Sequence, residues 1–191
     1  MSESVLVVKT EYLAPSIAGR NGLISGVGED ILKIVNEKHE FLPRPEAEED
    51  PGYKQIIPYV AVTRGDEVFV LRRLKKGGEA RLHGLLSVGV GGHINPADDT
   101  RDEALMRGLR REVDEEISVE KILRLTPKGV INDDSNAVGG VHLGFFFTME
   151  ISGEVAVRET EKLSGEWVKT SELCKLKDQL ENWSQIVMEE I

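Results

Sequence analysis

Short runs of hydrophobic residues along the chain predict a series of strands. The first run, VLVVKT from Val5 to Thr10, is rich in β-branched residues. After residue 55, QIIPYVAVTRGDEVFVLRRL predicts two strands that are joined by a turn at Arg64-Gly65-Asp66. Further strands are predicted for LLSVGVGGHI, LTPKGVI, VGGVHLGFFFTMEI, EVAVRE and GEWVKT.

Three segments predict helices instead. GEDILKIVNEKHEFL carries Ile31, Ile34 and Val35 on one helical face. A second helix is predicted from about Thr100 to Ile117, and a third closes the chain in DQLENWSQIVMEEI. Strands on both sides of a central helix, followed by a terminal helix, indicate an α/β (α+β) fold with a mixed β-sheet sandwiched between helices.

The segment PRPEAEEDPG, residues 43–52, lacks both the helical and the strand spacing of hydrophobic residues and is rich in proline and acidic residues. Such a composition predicts a linker or an exposed loop. We therefore expect an N-terminal β/α extension, an arm or small subdomain of residues 1–50, before a main domain of residues 51–191.

Composition narrows the classes of partner. A net charge of −10 argues against non-specific binding to a nucleic-acid polymer or an anionic membrane surface. Small anionic substrates stay open, because local cations can reverse the field inside a site. Cys174 is the only cysteine, which excludes an intramolecular disulfide and a cysteine-based zinc site. No segment has the character of a signal peptide or a membrane span, so we expect a cytoplasmic protein.

The run LRREVDEEI, residues 109–117, concentrates acidic side chains in the predicted central helix. At helical spacing, Glu112, Glu115 and Glu116 share one face, where like charges repel each other. Hard divalent cations, which prefer oxygen ligands, would offset that repulsion. A solvated helix with ion pairs is the alternative interpretation of the run by itself. The preceding strand ends in Gly91-Gly92, and this order of strand, glycine loop and acidic helix suits metal-assisted phosphoryl chemistry.

The run also resembles the sequence box of the Nudix hydrolases, G-x5-E-x7-R-E-U-x-E-E-x-G-U, in which U is a bulky aliphatic residue. Arg111-Glu112-Val113-Asp114-Glu115-Glu116 fits R-E-U-x-E-E, Glu103 has the required spacing, and Val119 fits the last aliphatic place. The resemblance extends more loosely over residues 55–170 and includes the EWV of residues 166–168.

Two positions depart from this box. Ser118 replaces its last glycine, and Ala97 stands where its first glycine is expected. The nearest glycine is Gly92, so we expect an enlarged loop at the mouth of the site. The stretch RLHGLLSVGVGGHINPADD is similar to a Nudix subgroup described only as phosphoesterases, which leaves the substrate open.

The resemblance implies a Mg²⁺-dependent hydrolase, with Mn²⁺ as a substitute, that cleaves a diphosphate bond in a nucleoside diphosphate linked to another moiety. It implies that Glu112, Glu115 and Glu116 bind metal, with a carbonyl at Gly92 as a further ligand. The implied catalytic residues are Glu112, Glu115, Arg111, which orients Glu112, and Glu103, which is a ligand or only a helix ion pair. The general base is Glu115, another helix carboxylate, or Glu159 or Glu161 in the late segment RETEKLSGE.

Substrate binding is predicted for the basic segment LRRLKKGGEARLHG, in an otherwise acidic chain. Arg72 and Arg73 are candidates to neutralise phosphates, and His93 lies beside the glycine pair. A solvated basic hairpin is the alternative for the two arginines. The expected partner is a small diphosphate compound, and a homodimer through the N-terminal arm is one expected assembly.

The two alternatives to the hydrolase are a non-catalytic sensor and an isomerase. A non-catalytic Nudix-like sensor of nucleotides or metabolites usually lacks box carboxylates, whereas all of them are present here. An isopentenyl-diphosphate isomerase resembles a site built around a cysteine beside the Gly-His pair, but Cys174 lies far along the chain. The hydrolase is therefore favoured.

Overall fold

The computed structural model describes residues 2–74, 83–99 and 103–191. Within these ranges the helices are α1 (Thr10–Ile17), α2 (Gly28–Lys38), α3 (Arg44–Ala47), α4 (Ala104–Glu116), α5 (Ala137–Gly140), α6 (Leu173–Leu176) and α7 (Asn182–Val187). The strands are β1 (Ser4–Lys9), β2 (Gly22–Ile24), β3 (Glu40–Pro43), β4 (Tyr53–Arg64), β5 (Glu67–Arg73), β6 (Leu86–Ser87), β7 (Val90–Gly91), β8 (Ile117–Asn132), β9 (His142–Val157) and β10 (Leu163–Lys169). Single turns of 3-10 helix lie at Pro96–Asp98, Thr170–Glu172, Lys177–Gln179 and Met188–Glu190.

Among the described residues these ten strands form one sheet, in which six follow the order β10-β5-β4-β9-β8-β2. Outside this path, β1 pairs with β3 and β4, β6 pairs with β5, and β7 pairs with β4. The registered strand pairs are antiparallel, and Leu86 and Leu180 form an isolated parallel bridge. The predicted α/β fold, with a mixed sheet and helices, is confirmed.

The chain divides into two compact units that are interleaved along the sequence. Unit 1 comprises Met1–Tyr59, Gly91–Arg110 and Pro127–Phe146, and unit 2 comprises Val60–Val90, Arg111–Thr126 and Phe147–Ile191. The expected division into residues 1–50 and 51–191 stays a prediction.

In unit 1, β1 is a buried central strand. It pairs with β3 through Val5↔Leu42 and with β4 through Val7↔Gln55. Val5 and Val7 pack with Ala47, and all three are fully buried. Arg44–Ala47 forms α3, so the expectation of a linker or exposed loop over residues 43–52 is wrong for this part, whereas residues 48–52 are exposed and without helix or strand, as expected. The reason for the difference in α3 is that the chain buries the small side chain of Ala47 against β1, a contact that local composition does not reveal.

A buried lysine fixes the segment between β8 and β9 in the same unit. Lys54 is 1% exposed, and its Nζ donates to Asp134 Oδ1 at 2.8 Å. The same ammonium donates to the carbonyl oxygens of Gly139, Gly140 and His142 at 3.2, 3.1 and 3.4 Å. Its charge is therefore matched by an acid and by backbone acceptors.

In unit 2, β4 and β5 form the predicted hairpin. Thr63 pairs with Val68 across the turn, and Gly65 adopts a φ of 60°. A two-residue hairpin turn needs such a positive φ, which glycine adopts at no steric cost. β10 lies on the other side of β5, with Trp167 opposite Phe69. The predicted strands of QIIPYVAVTRGDEVFVLRRL and GEWVKT are confirmed.

Other element boundaries differ from the prediction. LLSVGVGGHI forms two short strands, β6 and β7, rather than one. β8 starts at Ile117, directly after α4, and β9 continues through the segment that was expected to be a separate strand. The predicted strand of VGGVHLGFFFTMEI begins instead with α5, because Asn136 caps this turn by accepting the N–H of Gly139 at 2.9 Å.

None of the helices in the described ranges has the length and apolar character needed to cross a bilayer.

Candidate active site

The end of α4 carries the acidic run. The apolar side of the helix, with Leu105, Leu109 and Val113, is buried, and this spacing of four residues defines one face. Burial of that face fixes the rotation of the helix about its axis. The side chains of Glu112 and Glu116 are 14% and 11% exposed, whereas that of Glu115 is 55% exposed. The predicted start of this helix at Thr100 is wrong, because Glu103 precedes the first helical residue, Ala104; Thr100 itself lies outside the described residues.

Arg111 binds two of the three carboxylates. Its Nη1 donates to Glu112 Oε1 at 2.7 Å and to Glu115 Oε1 at 3.3 Å. The sequence analysis assigned Arg111 the role of orienting Glu112, and the contact required for that role is present. Both pairs are charge-assisted hydrogen bonds on one turn of helix, so they also reduce the mutual repulsion of the glutamates.

Glu116 is the least satisfied carboxylate of the group. Its Oε2 is buried and has no hydrogen-bond partner within the described part of the chain. The pKa of Glu116 is raised to about 7, mainly by burial and also by the charges of Glu112, Glu159 and Glu181, while the nearby charge of Arg73 works in the opposite direction. Arg73 Nη1 lies 3.9 Å from Glu116 Oε1, which is a loose ion pair. A buried carboxylate with an open oxygen is typical of a functional site.

Glu181 is a member of this cluster that the sequence analysis missed. Its Oε2 lies 3.7 Å from Arg73 Nε, and its side chain is 11% exposed. The backbone N–H of Glu181 donates to the carbonyl of Leu86 at 2.9 Å, which holds the residue beside β6. No sequence signal marks Glu181, because its proximity to Arg73 arises only from tertiary structure.

The late acidic segment is attached to the end of α4. The N–H of Arg158 donates to the carbonyl of Glu116 at 2.8 Å. Glu159 forms an ion pair with Lys162 at 2.6 Å, and this pairing raises the pKa of Lys162. Glu159 therefore lies near Glu116, as the base assignment requires, whereas Glu161 is exposed.

The two arginines of β5 lie on opposite faces of the sheet, because successive residues of a strand alternate. Arg73 faces Glu116. Arg72 lines a shallow pocket with Ser164 and Glu166, and its Nη1 donates to the carbonyl of Gly84 at 3.3 Å. Of the predicted pair, only Arg73 is brought to the carboxylates.

Three predicted site residues belong to unit 1. Gly92 and His93 follow β7, and the His93 ring lies 5.6 Å from that of His142, measured between centroids. Beside them, a Cβ on Gly91 would overlap the carbonyl oxygen of Pro58. The glycine pair thus does permit a close backbone approach.

Glu103 is also in unit 1, where it is exposed and its carbonyl accepts the N–H of Arg107 at 2.9 Å. The roles assigned to Gly92, His93 and Glu103 stay predictions.

The donor set at the end of α4 suits a hard divalent cation. Carboxylate oxygens are its preferred ligands, and Glu116 Oε2 is a buried oxygen without a partner. No group of three or more His, Cys, Asp or Glu side chains in the described ranges is already arranged to hold a metal ion. Arg111 binds Oε1 of both Glu112 and Glu115, and each of these carboxylates has further lone pairs for a cation.

Comparison with known proteins identifies the family. The NUDIX domain model matches residues 54–191. Protein YmaB of Bacillus subtilis (strain 168) is 40% identical over 168 residues, which cover 84% of this chain and 82% of YmaB. The crystal structure of Tm1382, described as a Nudix hydrolase, superposes with a TM-score of 0.86 at 35% identity and covers 98% of this chain and 97% of Tm1382.

A more distant structure, DR0079 from Deinococcus radiodurans, shares the fold with a TM-score of 0.58 at 16% identity, over 89% of this chain and 97% of DR0079. The likeness to Tm1382 extends over residues 1–53, which the family match leaves out. With the Arg111–Glu116 motif on a helix whose carboxylates cluster, the chain belongs to the NUDIX domain family and is a pyrophosphohydrolase of the Nudix kind.

Proposed function

We propose that this protein cleaves the diphosphate bond of a nucleoside diphosphate linked to another moiety, with Mg²⁺ as the cofactor and Mn²⁺ as a substitute. The observation that carries the proposal is Glu116, a buried carboxylate with an unpartnered oxygen among other carboxylates. Ionisable groups with strongly shifted pKa values are concentrated at functional sites. A divalent cation bound there would neutralise this excess of negative charge, polarise a phosphate oxygen and lower the pKa of a bound water.

Glu112, Glu115 and Glu116 are the residues that would hold the cation. Glu116 offers Oε2 directly, since this oxygen has no hydrogen bond within the described residues. Glu112 and Glu115 share Arg111, so the guanidinium holds the two carboxylates close together. This arrangement supports Arg111 as a positioning residue rather than a group that contacts substrate.

Arg73 is the better supported phosphate-binding side chain. It lies between the carboxylates of Glu116 and Glu181 at 3.9 and 3.7 Å, so neither ion pair is tight. A guanidinium has five N–H donors in a planar fork, so Arg73 can bind a phosphate oxygen while these acids keep it in place. The predicted contributions of Arg72 and His93 remain part of the proposal from sequence alone.

Two carboxylates are supported as the proton acceptor. Glu115 is the most exposed of the helix glutamates, and Glu159 is on a loop that is hydrogen-bonded to Glu116 through Arg158. The Glu159–Lys162 ion pair is exposed at 34% and 51% of the two side chains, so water and substrate can compete with it. Glu161 is the weaker candidate, because it is exposed and lies further along the chain from Arg158, whose N–H is bonded to Glu116.

The proposed partner is a small diphosphate compound, and the net charge of −10 disfavours a nucleic-acid polymer or an anionic membrane. The exposed free thiol of Cys174 fits the proposed cytoplasmic location, where thiols stay reduced. A Nudix-like sensor is the second candidate. It would use the same fold without turnover, but it gives no reason to keep every carboxylate of the motif.

The test is a panel of nucleotide sugars, ADP-ribose, dinucleotides, coenzyme A and nucleoside triphosphates, assayed with Mg²⁺, with Mn²⁺ and with excess chelator. We expect at least one substrate to be cleaved at its diphosphate bond, with activity lost in chelator and restored by the cation. Glu112→Gln should abolish the activity. Asp114→Asn is the matched control, because Asp114 is an exposed acid on the same turn of α4.

Binding of a panel compound without turnover at any cation concentration would favour the sensor. Full turnover in chelator would contradict the metal requirement. Equal losses in the Glu112 and Asp114 variants would mean that charge on the helix, rather than the motif position, is what matters.

A further inference from the structure

The middle of β8 exposes two large apolar side chains in succession. Ile122 and Leu123 are 53% and 51% exposed. Because neighbouring residues of a strand point to opposite faces, both faces of β8 are open to solvent here. Residues 120–124 are all exposed. A strand that is uncovered on both faces gains little from the core of its own chain.

One long edge of this strand is also open. On one side β8 pairs with β9. On the other side, β2 is the partner strand found within the described residues, and its register covers only Val130, Ile131 and Asn132 of β8. Residues 118–126, SVEKILRLT, therefore form an unpaired edge, which we call the β8 edge. Exposed edges with apolar side chains are templates for another strand.

We propose that the β8 edge is a dimerisation surface that pairs in antiparallel fashion with the β8 edge of a second copy of this chain. The inference is independent of the proposed reaction. A second copy is the occupant that fits best, because the sequence of the edge is complementary to its own reverse. That complementarity follows from symmetry and charge.

Two-fold symmetry restricts the register. Directly opposed residues of an antiparallel pair alternate between hydrogen-bonded and non-hydrogen-bonded. Suppose that the axis passed between two neighbouring positions, so that residue n lay opposite residue n+1 of the second copy. The consecutive pairs n/n+1 and n+1/n would then be related by symmetry and would be of the same type, whereas consecutive pairs must alternate in type. One residue must therefore lie opposite itself.

Charge then selects that residue. A centre at Lys121 or Arg124 would oppose two like charges, which is destabilising. A centre at Leu123 would oppose Ile122 to Arg124 and leave Glu120 without a cation. A centre at Ile122 opposes Ile122 to itself and places Glu120 opposite Arg124 on both sides of the axis. In this register Glu120 and Arg124 each meet an opposite charge, while Lys121 lies opposite Leu123.

The intrachain contacts agree with this arrangement. Arg124 Nη2 binds Glu150 Oε2 on β9 at 2.9 Å while its side chain is 71% exposed. Its guanidinium has further donors for the Glu120 of a second copy. Glu120 Oε2 accepts the N–H of Glu154 at 3.1 Å, and a carboxylate has further lone pairs. Each side chain is thus held in place by β9 and is able to bind across the edge.

The ends of the pairing are also defined by the sequence. With Ile122 at the centre, Ile117 lies opposite Pro127. Pro127 has no N–H to donate to a ladder, and Ile117 is fully buried in its own chain. The ladder would therefore stop at Ser118 and Thr126. An interface of nine residues from each copy is small, so we expect a reversible dimer with a dissociation constant on the order of 10 µM.

The expectation of a dimer through residues 1–50 has less support. β1 already pairs with β3 and β4 on its two edges. β2 pairs with β8. β2 and β3 each have one strand partner within the described residues and keep one open edge, but they are three and four residues long, against nine residues for the β8 edge.

The experiment uses the full chain in sedimentation velocity between about 1 and 200 µM, a range that spans the expected dissociation constant. Wild type should shift from monomer to dimer. Glu120→Arg opposes two arginines at each end of the pair, and Arg124→Glu opposes two glutamates. Each variant alone should stay monomeric over the whole range. An equimolar mixture of the two variants restores both opposite-charge pairs, so it should form a heterodimer.

The mixture separates loss of the interface from loss of folding, because two misfolded variants cannot rescue each other. Glu189→Arg, an exposed charge reversal outside the β8 edge, should dimerise like wild type. A monomeric wild type at the highest concentration would overturn the proposal. Dimers in both single variants would also overturn it, as would a mixture that stays monomeric.

Discussion

Lys54 in unit 1 and Glu116 in unit 2 are both ionisable side chains withdrawn from solvent, but their surroundings differ in kind. Lys54 donates to one carboxylate and three carbonyl groups. Glu116 has an oxygen without a partner in the described structure, and a guanidinium 3.9 Å away from the other oxygen. Hydrogen bonds compensate the buried charge of Lys54, as expected for a structural role. The buried carboxylate of Glu116 lacks this compensation, and its ionisation therefore costs free energy.

The pKa values of the carboxyl groups in the two regions reflect this difference. Burial works to raise the pKa of Asp134, but hydrogen bonds from Lys54 and Asn132 bring it below its ordinary value. Burial, together with the charges of other carboxylates and against that of Arg73, raises the pKa of Glu116 to about 7. Burial acts more strongly on Glu116 than on Asp134, whose side chain is 45% exposed, and hydrogen bonds reverse its effect in Asp134. In the Lys54 region the protein itself supplies the groups that compensate the buried charge. In the Glu116 region a bound cation would supply that compensation.

The largest expected effect that separates the two regions is the loss of catalysis in Glu116→Gln. Loss of a carboxylate that holds the cation should lower kcat by about 10²–10³-fold, since metal-ion catalysis supplies several kcal/mol. Mn²⁺ affinity, measured by calorimetry without substrate, should fall together with the rate. Glu159→Gln provides the contrast, because loss of a base lowers kcat while Mn²⁺ affinity is nearly unchanged. Wild-type Mn²⁺ affinity in Glu116→Gln would remove Glu116 from the cation site.

Lys54→Met should affect stability instead. Three carbonyl groups and Asp134 lose their common donor, and we expect a loss of roughly 2–4 kcal/mol in the free energy of unfolding. The kcat of the folded protein should stay close to wild type. Urea unfolding measures the first quantity, and Lys33→Met, at an exposed position of α2, is the matched control with an expected change within about 0.5 kcal/mol. If Lys54→Met unfolded at the wild-type urea concentration, the buried ammonium would not be a structural element.

The sequence predicted the features that depend on interactions between residues close together in the chain. The β4–β5 turn was found because Gly65 can adopt the positive φ that a two-residue hairpin requires. The proximity of Arg111 to Glu115 follows from helical spacing and is observed at 3.3 Å. In both cases the interacting residues are fewer than five positions apart.

Features that depend on distant contacts were not predicted. Lys54 was not identified as a buried charge, because its acceptors lie some 80 residues later in the chain. Glu181 was missed for the same reason. Arg72 and Arg73 could not be separated until the structure showed which face of β5 meets α4. α1 was hidden by Pro15 within it, since proline inside a helix is unfavourable.

The smallest expected effect is a dependence of stability on pH that belongs to Glu116 and disappears in Glu116→Gln. The carboxyl has a pKa of about 7 in the folded protein, against an ordinary value of 4.5. Below 4.5 both states are protonated and the group carries no penalty. Between these two pKa values the unfolded chain loses its proton while the folded protein keeps it, so stability falls as pH rises. Above about 7 both states are ionised and the full penalty, at most roughly 3 kcal/mol, stays constant.

In excess chelator, the free energy of unfolding of wild type should therefore fall relative to that of Glu116→Gln as pH rises from about 4.5 to 8. Urea titrations at several pH values measure this difference, and Asp114→Asn reports the background from an exposed acid on the same helix. Added Mg²⁺ should recover stability in wild type at high pH, because it binds the ionised carboxylate, and should do less in Glu116→Gln. Parallel pH profiles for wild type and Glu116→Gln would mean that the Glu116 carboxyl is as well satisfied as the Lys54 ammonium, and the contrast between the two regions would fail.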